Sequence, residues 1–281
     1  MQELSAETIL YIKNTNLVKR KKYGQYFTHK TIRDFLITKL PKIPNADILE
    51  PSCGTGEFIQ TILENYENPN IDAIEIDEEL YDICSNKYKN INFINGNTLT
   101  TEFSKKYDFI IGNPPYFEME LSQNDKLKYA EIINGRINIF SLFTKISIDL
   151  LKENGFLAFV LPCVLNNGAY FSKLRNYITK ETNIELLTIF DEKCFEDALQ
   201  KVMVLILKKS KNDGKYIFRN IFSPQYELLN EQFLNKKTIK ECGFSVKTGN
   251  VVWNTNKDLL SNDTQDTLLV WAHNLKNKSF V

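Results

Sequence analysis

Short apolar runs alternate with segments of helical spacing along most of the chain, and this alternation constrains the fold more than any other feature. Strands joined by helices usually pair in parallel, with helices covering both faces of the sheet. We therefore predict an α/β fold with a doubly wound, mainly parallel sheet that binds its ligand at the carboxyl ends of the strands. The predicted strands are residues 46–49, 71–76, 91–94, 107–112, 156–161, 185–190 and 202–208, and the predicted helices are residues 5–19, 30–40, 58–65, 78–87, 139–151 and 171–180.

A glycine-containing loop follows the first predicted strand. Gly54 and Gly56 would let the backbone approach a ligand, and Glu75 ends the next strand about 20 residues on, where a carboxylate can bind ribose hydroxyls. The pattern indicates a nucleoside cofactor, although a tight strand-to-helix turn would also explain the glycines. Ile59 occupies the third glycine position of a dinucleotide motif, so a phosphate-bearing cofactor is disfavoured. Asp77 is predicted to be a helix N-cap.

The tetrapeptide Asn113-Pro114-Pro115-Tyr116 directly follows the predicted strand at residues 107–112. The prolines fix φ and have no N–H, so their carbonyls are held without a competing local donor. The side-chain oxygen of Asn113 and the carbonyl of Pro114 can both accept from one NH₂ group, and Tyr116 offers a flat face. The motif therefore predicts a pocket for an amine on a planar group, such as adenine N6.

Charge and cysteine content exclude several classes of function. Lys plus Arg equals Asp plus Glu at 35 each, so any nucleic-acid binding must be local. The basic run at residues 19–22 is equally consistent with a solvated helix end and with a phosphate contact. The five cysteines form no C-x-x-C pair, which predicts reduced thiols and no zinc site. Without an apolar signal core or a membrane span, we expect an intracellular protein, in the cytoplasm or near the nucleoid.

These motifs and their order closely resemble the S-adenosylmethionine-dependent adenine-N6 DNA methyltransferases of restriction-modification type, in the subgroup ordered cofactor motif, catalytic motif, target-recognition region. The resemblance implies a Rossmann-like class I methyltransferase fold with a seven-stranded sheet, S-adenosylmethionine as cofactor and double-stranded DNA with a target adenine as partner. The matching segments are residues 24–28, which would close over the methionine part of the cofactor, residues 50–58, 73–77 and 113–116, and the later motifs at residues 138–140 and Pro162.

The resemblance also assigns roles to individual residues. Catalysis falls to Asn113, Pro114, Pro115, Tyr116 and Phe195, and cofactor binding to Thr28, Glu50, Cys53, Gly54, Gly56, Glu75, Ile76, Asn97 and Asn113.

Asn97 departs from the family pattern, in which many members carry an acid that accepts from the adenine amine of the cofactor. An amide can accept from that amine and donate to ring N1, but Asn97 is equally consistent with a simple turn residue.

The implied chemistry is attack by an adenine amine on a methyl sulfonium. By accepting its N–H bonds, Asn113 and the Pro114 carbonyl would increase the electron density on the nitrogen as it attacks. No side chain need therefore deprotonate the amine beforehand. The adenine must leave the duplex, and Tyr116 and Phe195 would form the walls that hold it. Core packing is the alternative role for Phe195.

The carboxyl-terminal part changes in pattern near residues 209–215. We predict a catalytic domain at residues 1–210, a connector at 211–240 and the start of a target-recognition region at 241–281. The region is short for reading a DNA sequence, so we expect recognition to be truncated, minimal or supplied by another chain, such as a recognition subunit. A restriction enzyme is a further expected partner.

Three alternative functions stay open. An RNA adenine-N6 methyltransferase would use the same pocket chemistry. A glutamine-N5 methyltransferase acting on release factors also uses an Asn-Pro-Pro-Tyr motif, though residues 24–28 and the Phe195 loop argue against it. The third alternative is a catalytically silent recognition subunit.

Overall fold

The computed structural model describes residues 4–190 and 201–245, together with the backbone of two short strands near the carboxyl end. The chain divides into two compact units, Met1–Leu234 and Asn235–Val281. In the second unit the described elements are the paired strands β12 and β13. The elements are, in chain order, α1 (Ala6–Asn14), α2 (Leu17–Lys22), α3 (Lys30–Thr38), β1 (Asp47–Glu50), α4 (Glu57–Asn65), β2 (Asn70–Glu75), α5 (Glu78–Lys87), β3 (Asn92–Asn95), β4 (Tyr107–Gly112), β5 (Glu118–Met119), α6 (Gln123–Lys128), β6 (Ile137–Asn138), α7 (Ile139–Leu150), β7 (Leu151–Pro162), α8 (Ser172–Glu181), β8 (Asn183–Phe190), β9 (Val202–Lys208), β10 (Ile217–Phe218), β11 (Ile221–Phe222), α9 (Tyr226–Phe233), β12 (Leu275–Lys276) and β13 (Ser279–Phe280).

A seven-stranded sheet in the order β3-β2-β1-β4-β7-β9-β8 forms the centre of the first unit. The pairs from β3 to β7 are parallel, whereas β9 runs antiparallel to both of its neighbours. The prediction of a doubly wound, mainly parallel sheet is confirmed. From β1 the chain adds β2 and β3 on one side, and β4 then pairs with β1 on the other side. The connections after β1 and β4 therefore lead away from each other and leave a crevice at the carboxyl ends of these strands, where such sheets bind ligands.

Apolar side chains on both faces of the sheet bury it between helices. Ile48 and Phe109 pack on one face with Leu36 and Ile62 of α3 and α4. Successive residues of a strand point to opposite faces, so Ile110 belongs to the other core, with α7 and α8. Strands buried on both faces read as continuous apolar runs, which is why β4 and β9 could be recognised in the sequence.

The predicted helix at residues 5–19 is wrong, because the structure has two helices there. Thr15 takes an extended conformation after α1, and the Asn16 side chain accepts from the Val18 N–H to begin α2. An asparagine side chain competes for backbone donors and therefore favours a cap over a helix interior.

Among the helices in the described part of the chain, none combines the length and the apolar composition that crossing a membrane requires.

Candidate functional site

A cavity of about 310 Å³ lies at the carboxyl edge of the sheet, over the crevice between β1 and β4. Its walls come from residues 23–28, from the loops that follow β1 and β3, and from the ends of β2 and β4. The parallel strands thus bring together side chains that are far apart in sequence. Of the predicted site residues, Thr28, Glu50, Cys53, Gly54, Glu75, Ile76, Asn97, Asn113 and Pro115 line the cavity.

Three predicted residues lie beside the cavity without belonging to its lining: Gly56, Pro114 and Tyr116. Phe195, predicted as a second aromatic wall, lies outside the described residues. Gly56 has φ of 84°, and a Cβ there would come within 2.8 Å of Cys84 Sγ and of the Tyr88 ring. Glycine is therefore required at this position by packing against α5, whereas the sequence suggested close approach to a ligand.

Glu75 organises the glycine loop. One carboxylate oxygen accepts from the Gly54 N–H at 2.8 Å, and the other accepts from the Asp77 N–H at 2.9 Å. Burial raises the pKa of Glu75, while these backbone hydrogen bonds oppose the rise. Asp77 caps α5 by accepting from the N–H groups of Glu79 and Leu80, so its prediction as an N-cap is confirmed.

Glu50 is a buried carboxyl group with an unsatisfied oxygen. It ends β1, is 2% exposed, and its Oε2 has no hydrogen-bond partner among the described residues. Burial raises the pKa of Glu50 well above its ordinary value. The Thr28 hydroxyl is also buried and unpartnered there. Because buried polar atoms are nearly always paired, two such atoms in the wall of one cavity point to a polar ligand.

The Asn113 side chain is held by hydrogen bonds from two directions. Its Nδ2 donates to the Tyr26 carbonyl at 2.8 Å, and its Oδ1 accepts from the Tyr116 hydroxyl. A carbonyl can only accept, so the amide nitrogen must face Tyr26 and the oxygen must face away from it. The orientation of the amide in the cavity wall is therefore fixed by its neighbours.

Residues 23–28 pack directly on the tetrapeptide. Gly24 has φ of 64°, and a Cβ there would lie 2.9 Å from Pro115 Cβ and 3.1 Å from the Tyr116 nitrogen. Glycine is thus required both by its backbone conformation and by the close approach of the two chain segments. This contact brings the Tyr26 carbonyl to Asn113.

Two residues that the sequence interpretation missed, Tyr11 and Arg33, anchor this segment. Tyr11 donates through its hydroxyl to Gln25 Oε1 at 2.9 Å, and Gln25 Nε2 donates to Asp77 Oδ2 at 3.2 Å. Arg33 donates through Nε to the Thr28 carbonyl at 3.0 Å and pairs with Glu57 at 2.5 Å. Arg33 lies on the buried face of α3, and a charge at such a position was the available signal.

Asn97 is a turn residue, as one of its two alternative interpretations predicted, and it lies in the cavity wall. Its Oδ1 accepts from the Leu99 N–H at 3.0 Å, which makes it a turn residue, and it also lines the cavity. Since that oxygen retains a second lone pair, the turn and a ligand contact are compatible.

Two residues of the basic run at residues 19–22 have structural roles. Lys19 pairs with Asp77 at 3.2 Å and with Glu79 at 2.9 Å, and Arg20 is buried. Lys22 lines the cavity.

Comparison with known proteins gives concordant results. The family model described as Eco57I restriction-modification methylase matches residues 8–195. The modification methylase CviBIII of Paramecium bursaria Chlorella virus NC1A is 33% identical over 226 residues, which are 78% of this chain and 59% of that protein. The type II methyltransferase M.AccI of Acinetobacter calcoaceticus is 30% identical over 80% of this chain and 44% of its own length. The chain thus spans about half the length of these two relatives.

Solved structures support the fold. A solved structure from Listeria monocytogenes, assigned to the class I S-adenosylmethionine-dependent methyltransferases, superposes with a TM-score of 0.61 at 21% identity, over 74% of this chain and 68% of that one. The methyltransferase subunit of a type I restriction-modification system from Streptococcus thermophilus superposes with a TM-score of 0.58 at 17% identity, over 76% and 54%. The sheet described above is therefore the class I methyltransferase fold.

Proposed function

This chain belongs to the Eco57I restriction-modification methylase family, and we propose that it methylates the N6 amine of a flipped-out adenine in double-stranded DNA. S-adenosylmethionine is its cofactor. The observation that carries the proposal is the oriented amide of Asn113 in the wall of the cavity. The carbonyl of Pro114, the next residue in the chain, is the second proposed acceptor. Asn113 Oδ1 and the Pro114 carbonyl can each accept one N–H of an NH₂ group.

The cavity lining fits the cofactor. Glu50, with its unsatisfied buried oxygen, would hold the ammonium of the methionine part, and the Thr28 hydroxyl would bind a polar atom of the same part. Glu75 ends β2 with lone pairs left over for ribose hydroxyls, and Asn97 would contact the adenine ring of the cofactor. Gly54 lies in the wall without a side chain, which lets the backbone come close to the ligand.

Replacing Glu50 with glutamine tests this assignment of the ammonium site. Loss of a charge-assisted contact should weaken S-adenosylmethionine binding about 10- to 100-fold at pH 8, as measured by calorimetry. The melting temperature of Glu50→Gln, in contrast, should rise. Because the folded pKa of Glu50 is raised, stability falls as pH rises from the unfolded value towards the folded one, and glutamine removes that fall.

Glu64→Gln is the matched control for this test. Glu64 is a partly exposed residue of α4 whose pKa is lowered, first by its hydrogen bond with Gln60. Its substitution should leave cofactor affinity unchanged and should lower, slightly, the stability at neutral pH. If Glu50→Gln binds the cofactor as tightly as the wild-type chain, Glu50 does not hold the ammonium.

The bound cofactor supplies an electrophilic methyl group on sulfonium sulfur. The protein contributes orientation: Asn113 and the Pro114 carbonyl hold the amine so that its lone pair faces that methyl group. Both acceptors interact more strongly as positive charge develops on nitrogen, and this lowers the barrier relative to the bound ground state. Near-attack positioning supplies further rate, and no general base is needed before methylation. The C–S bond breaks as the N–C bond forms, the sulfur leaves as a neutral thioether, and the methylated nitrogen then loses its extra proton to solvent.

The remaining elements of the proposal concern partners and organisation. We propose residues 1–210 as the catalytic domain, 211–240 as a connector and 241–281 as a contribution to target recognition. A separate recognition subunit would supply further base contacts, and a cognate restriction enzyme would share the target sequence. We propose that the activity is intracellular, in the cytoplasm or near the nucleoid.

Substrate class is tested by offering the purified chain isotopically labelled S-adenosylmethionine with one of three acceptors. These are methylation-free duplex DNA, RNA of matching sequence, and a glutamine-containing release factor. Label in DNA alone is the expected result. Label in RNA or in the release factor would replace DNA as the substrate. Cofactor binding without transfer to any acceptor would favour a catalytically silent recognition subunit.

A further inference from the structure

The Tyr116 hydroxyl lies between two oxygen atoms that can only accept hydrogen bonds. One is Asn113 Oδ1, and the other is the Val160 carbonyl, 2.6 Å away, on β7. A hydroxyl group has a single proton, so Tyr116 can donate to only one of these oxygens at a time. The proton therefore has two alternative positions that differ by rotation about the C–O bond.

The surroundings hold the rest of Tyr116 in place. Its ring meets the buried Phe140 ring edge-on, with centroids 6.3 Å apart and planes at 88°. Its backbone nitrogen is close to Gly24, where an added Cβ would lie 3.1 Å away. The hydroxyl rotation is thus the least costly adjustment that this residue can make.

The two positions of the proton have different consequences for Asn113. When Tyr116 donates to Asn113 Oδ1, it completes the pair of contacts that orient the amide, the other being the Nδ2 bond to Tyr26. When the proton turns to Val160, Oδ1 recovers a lone pair while the hydroxyl stays satisfied. An arriving N–H donor can then take the place of the tyrosine proton without leaving a polar group unpaired.

We propose that Tyr116 is a positioning residue. In the absence of substrate its hydroxyl makes the hydrogen bond to Asn113 Oδ1 that the substrate amine later makes. This inference rests on the proposed function of Asn113 as acceptor. Without substrate the Tyr116 hydroxyl donates its hydrogen bond to Asn113 Oδ1 and keeps the amide oriented. As the amine docks, the proton rotates to the Val160 carbonyl. No covalent bond forms or breaks in this step, and the acceptor is preorganised before the amine arrives.

Tyr116→Phe tests the proposal, because it keeps the ring and removes only the hydroxyl. We expect the single-turnover rate of methyl transfer to DNA to fall about tenfold, which is the rate factor that corresponds to the free energy of one lost hydrogen bond. The affinity for S-adenosylmethionine should stay within about twofold, since Tyr116 does not line the cavity. The side-chain ¹⁵N–¹H signals of Asn113, identified by their absence in Asn113→Ala, should shift.

Tyr107→Phe is the matched control on the same stretch of chain. Tyr107 begins β4, is buried, and donates through its hydroxyl to Asp72 at 2.7 Å. Its loss should lower the melting temperature and leave both the transfer rate and the Asn113 signals unchanged. If Tyr116→Phe behaves in the same way as Tyr107→Phe, the hydroxyl is only a structural link between the segment after β4 and β7, and the proposal is overturned.

Failure of the proposed function gives a different pattern. If the wild-type chain transfers no methyl group to DNA but Tyr116→Phe shifts the Asn113 signals, the assigned substrate is wrong and the orienting role of the hydroxyl is supported. If neither the transfer nor the shift is observed, both are overturned.

Discussion

Asn113→Ala should reduce methyl transfer to DNA about 10²–10³-fold, the loss typical of removing one preorganised group that stabilises developing charge. The substitution removes the oxygen that would accept the substrate amine. The resemblance also counts Asn113 among the cofactor residues, but the polar contacts proposed above for the cofactor come from Thr28, Glu50, Glu75 and Asn97. Its dissociation constant for S-adenosylmethionine should therefore stay within a few fold of the wild-type value. Single-turnover transfer and calorimetric titration measure the two quantities separately.

Asn92→Ala is the control for this substitution. Asn92 is at the start of β3, outside the cavity lining, and its Nδ2 donates to Asp72 at 2.9 Å. Removing the same type of side chain there should leave both transfer and cofactor affinity near the wild-type values. Equal losses of transfer and of cofactor affinity in Asn113→Ala would contradict a role limited to the amine.

Arg33→Met should lower the free energy of unfolding by about 3–5 kcal/mol, the usual cost of removing one partner of a buried ion pair. Arg33 and Glu57 are 3% and 5% exposed, and their side chains meet at 2.5 Å. Methionine fills similar space but leaves the Glu57 carboxylate, within the described part of the chain, with the Ser5 N–H and the Thr8 hydroxyl as donors. Urea denaturation with an unchanged m value would measure the loss.

Lys30→Met provides the comparison, because Lys30 joins the same two helices on their exposed side. Lys30 pairs with Asp34 at 2.9 Å and with Glu64 at 3.1 Å, and its side chain is 30% exposed. Its loss should cost at most about 1 kcal/mol. Equal costs for the two variants would mean that the buried pair adds no more to stability than a surface pair does.

The Arg33 variant should also affect the site. Arg33 donates to the Thr28 carbonyl, so its loss removes an anchor of residues 23–28, which form one wall of the cavity. We therefore expect weaker cofactor binding in Arg33→Met and unchanged binding in Lys30→Met.

Much of the fold could be predicted because periodicity and capping are local signals. The bounds of α5, β4 and β9 agree with the sequence prediction to the residue. The antiparallel direction of β9 was not predicted, because alternation alone does not say which strands pair. The division of the first predicted helix was missed because Asn16 acts as a cap, which overrides the helical spacing around it.

The cavity lining was predictable where its residues end a strand, as Glu50 and Glu75 do, or directly follow one, as Asn113 does. The contacts that orient them were not, because they join distant parts of the chain. Tyr26 and Asn113 are 87 positions apart, and Tyr116 and Val160 are 44 apart. Such pairs leave no periodic pattern in the sequence. The sequence interpretation of Tyr116 therefore considered its ring and not its hydroxyl group.

The most direct test of the proposed function is the identity of the methylated product. The purified chain would be incubated with S-adenosylmethionine and methylation-free duplex DNA, and the DNA digested to nucleosides and analysed by mass spectrometry. We predict N6-methyldeoxyadenosine with the wild-type chain and a strongly reduced amount with Asn113→Ala. A methylated cytosine, or no methylated nucleoside from a chain that binds the cofactor, would contradict adenine-N6 methylation of DNA.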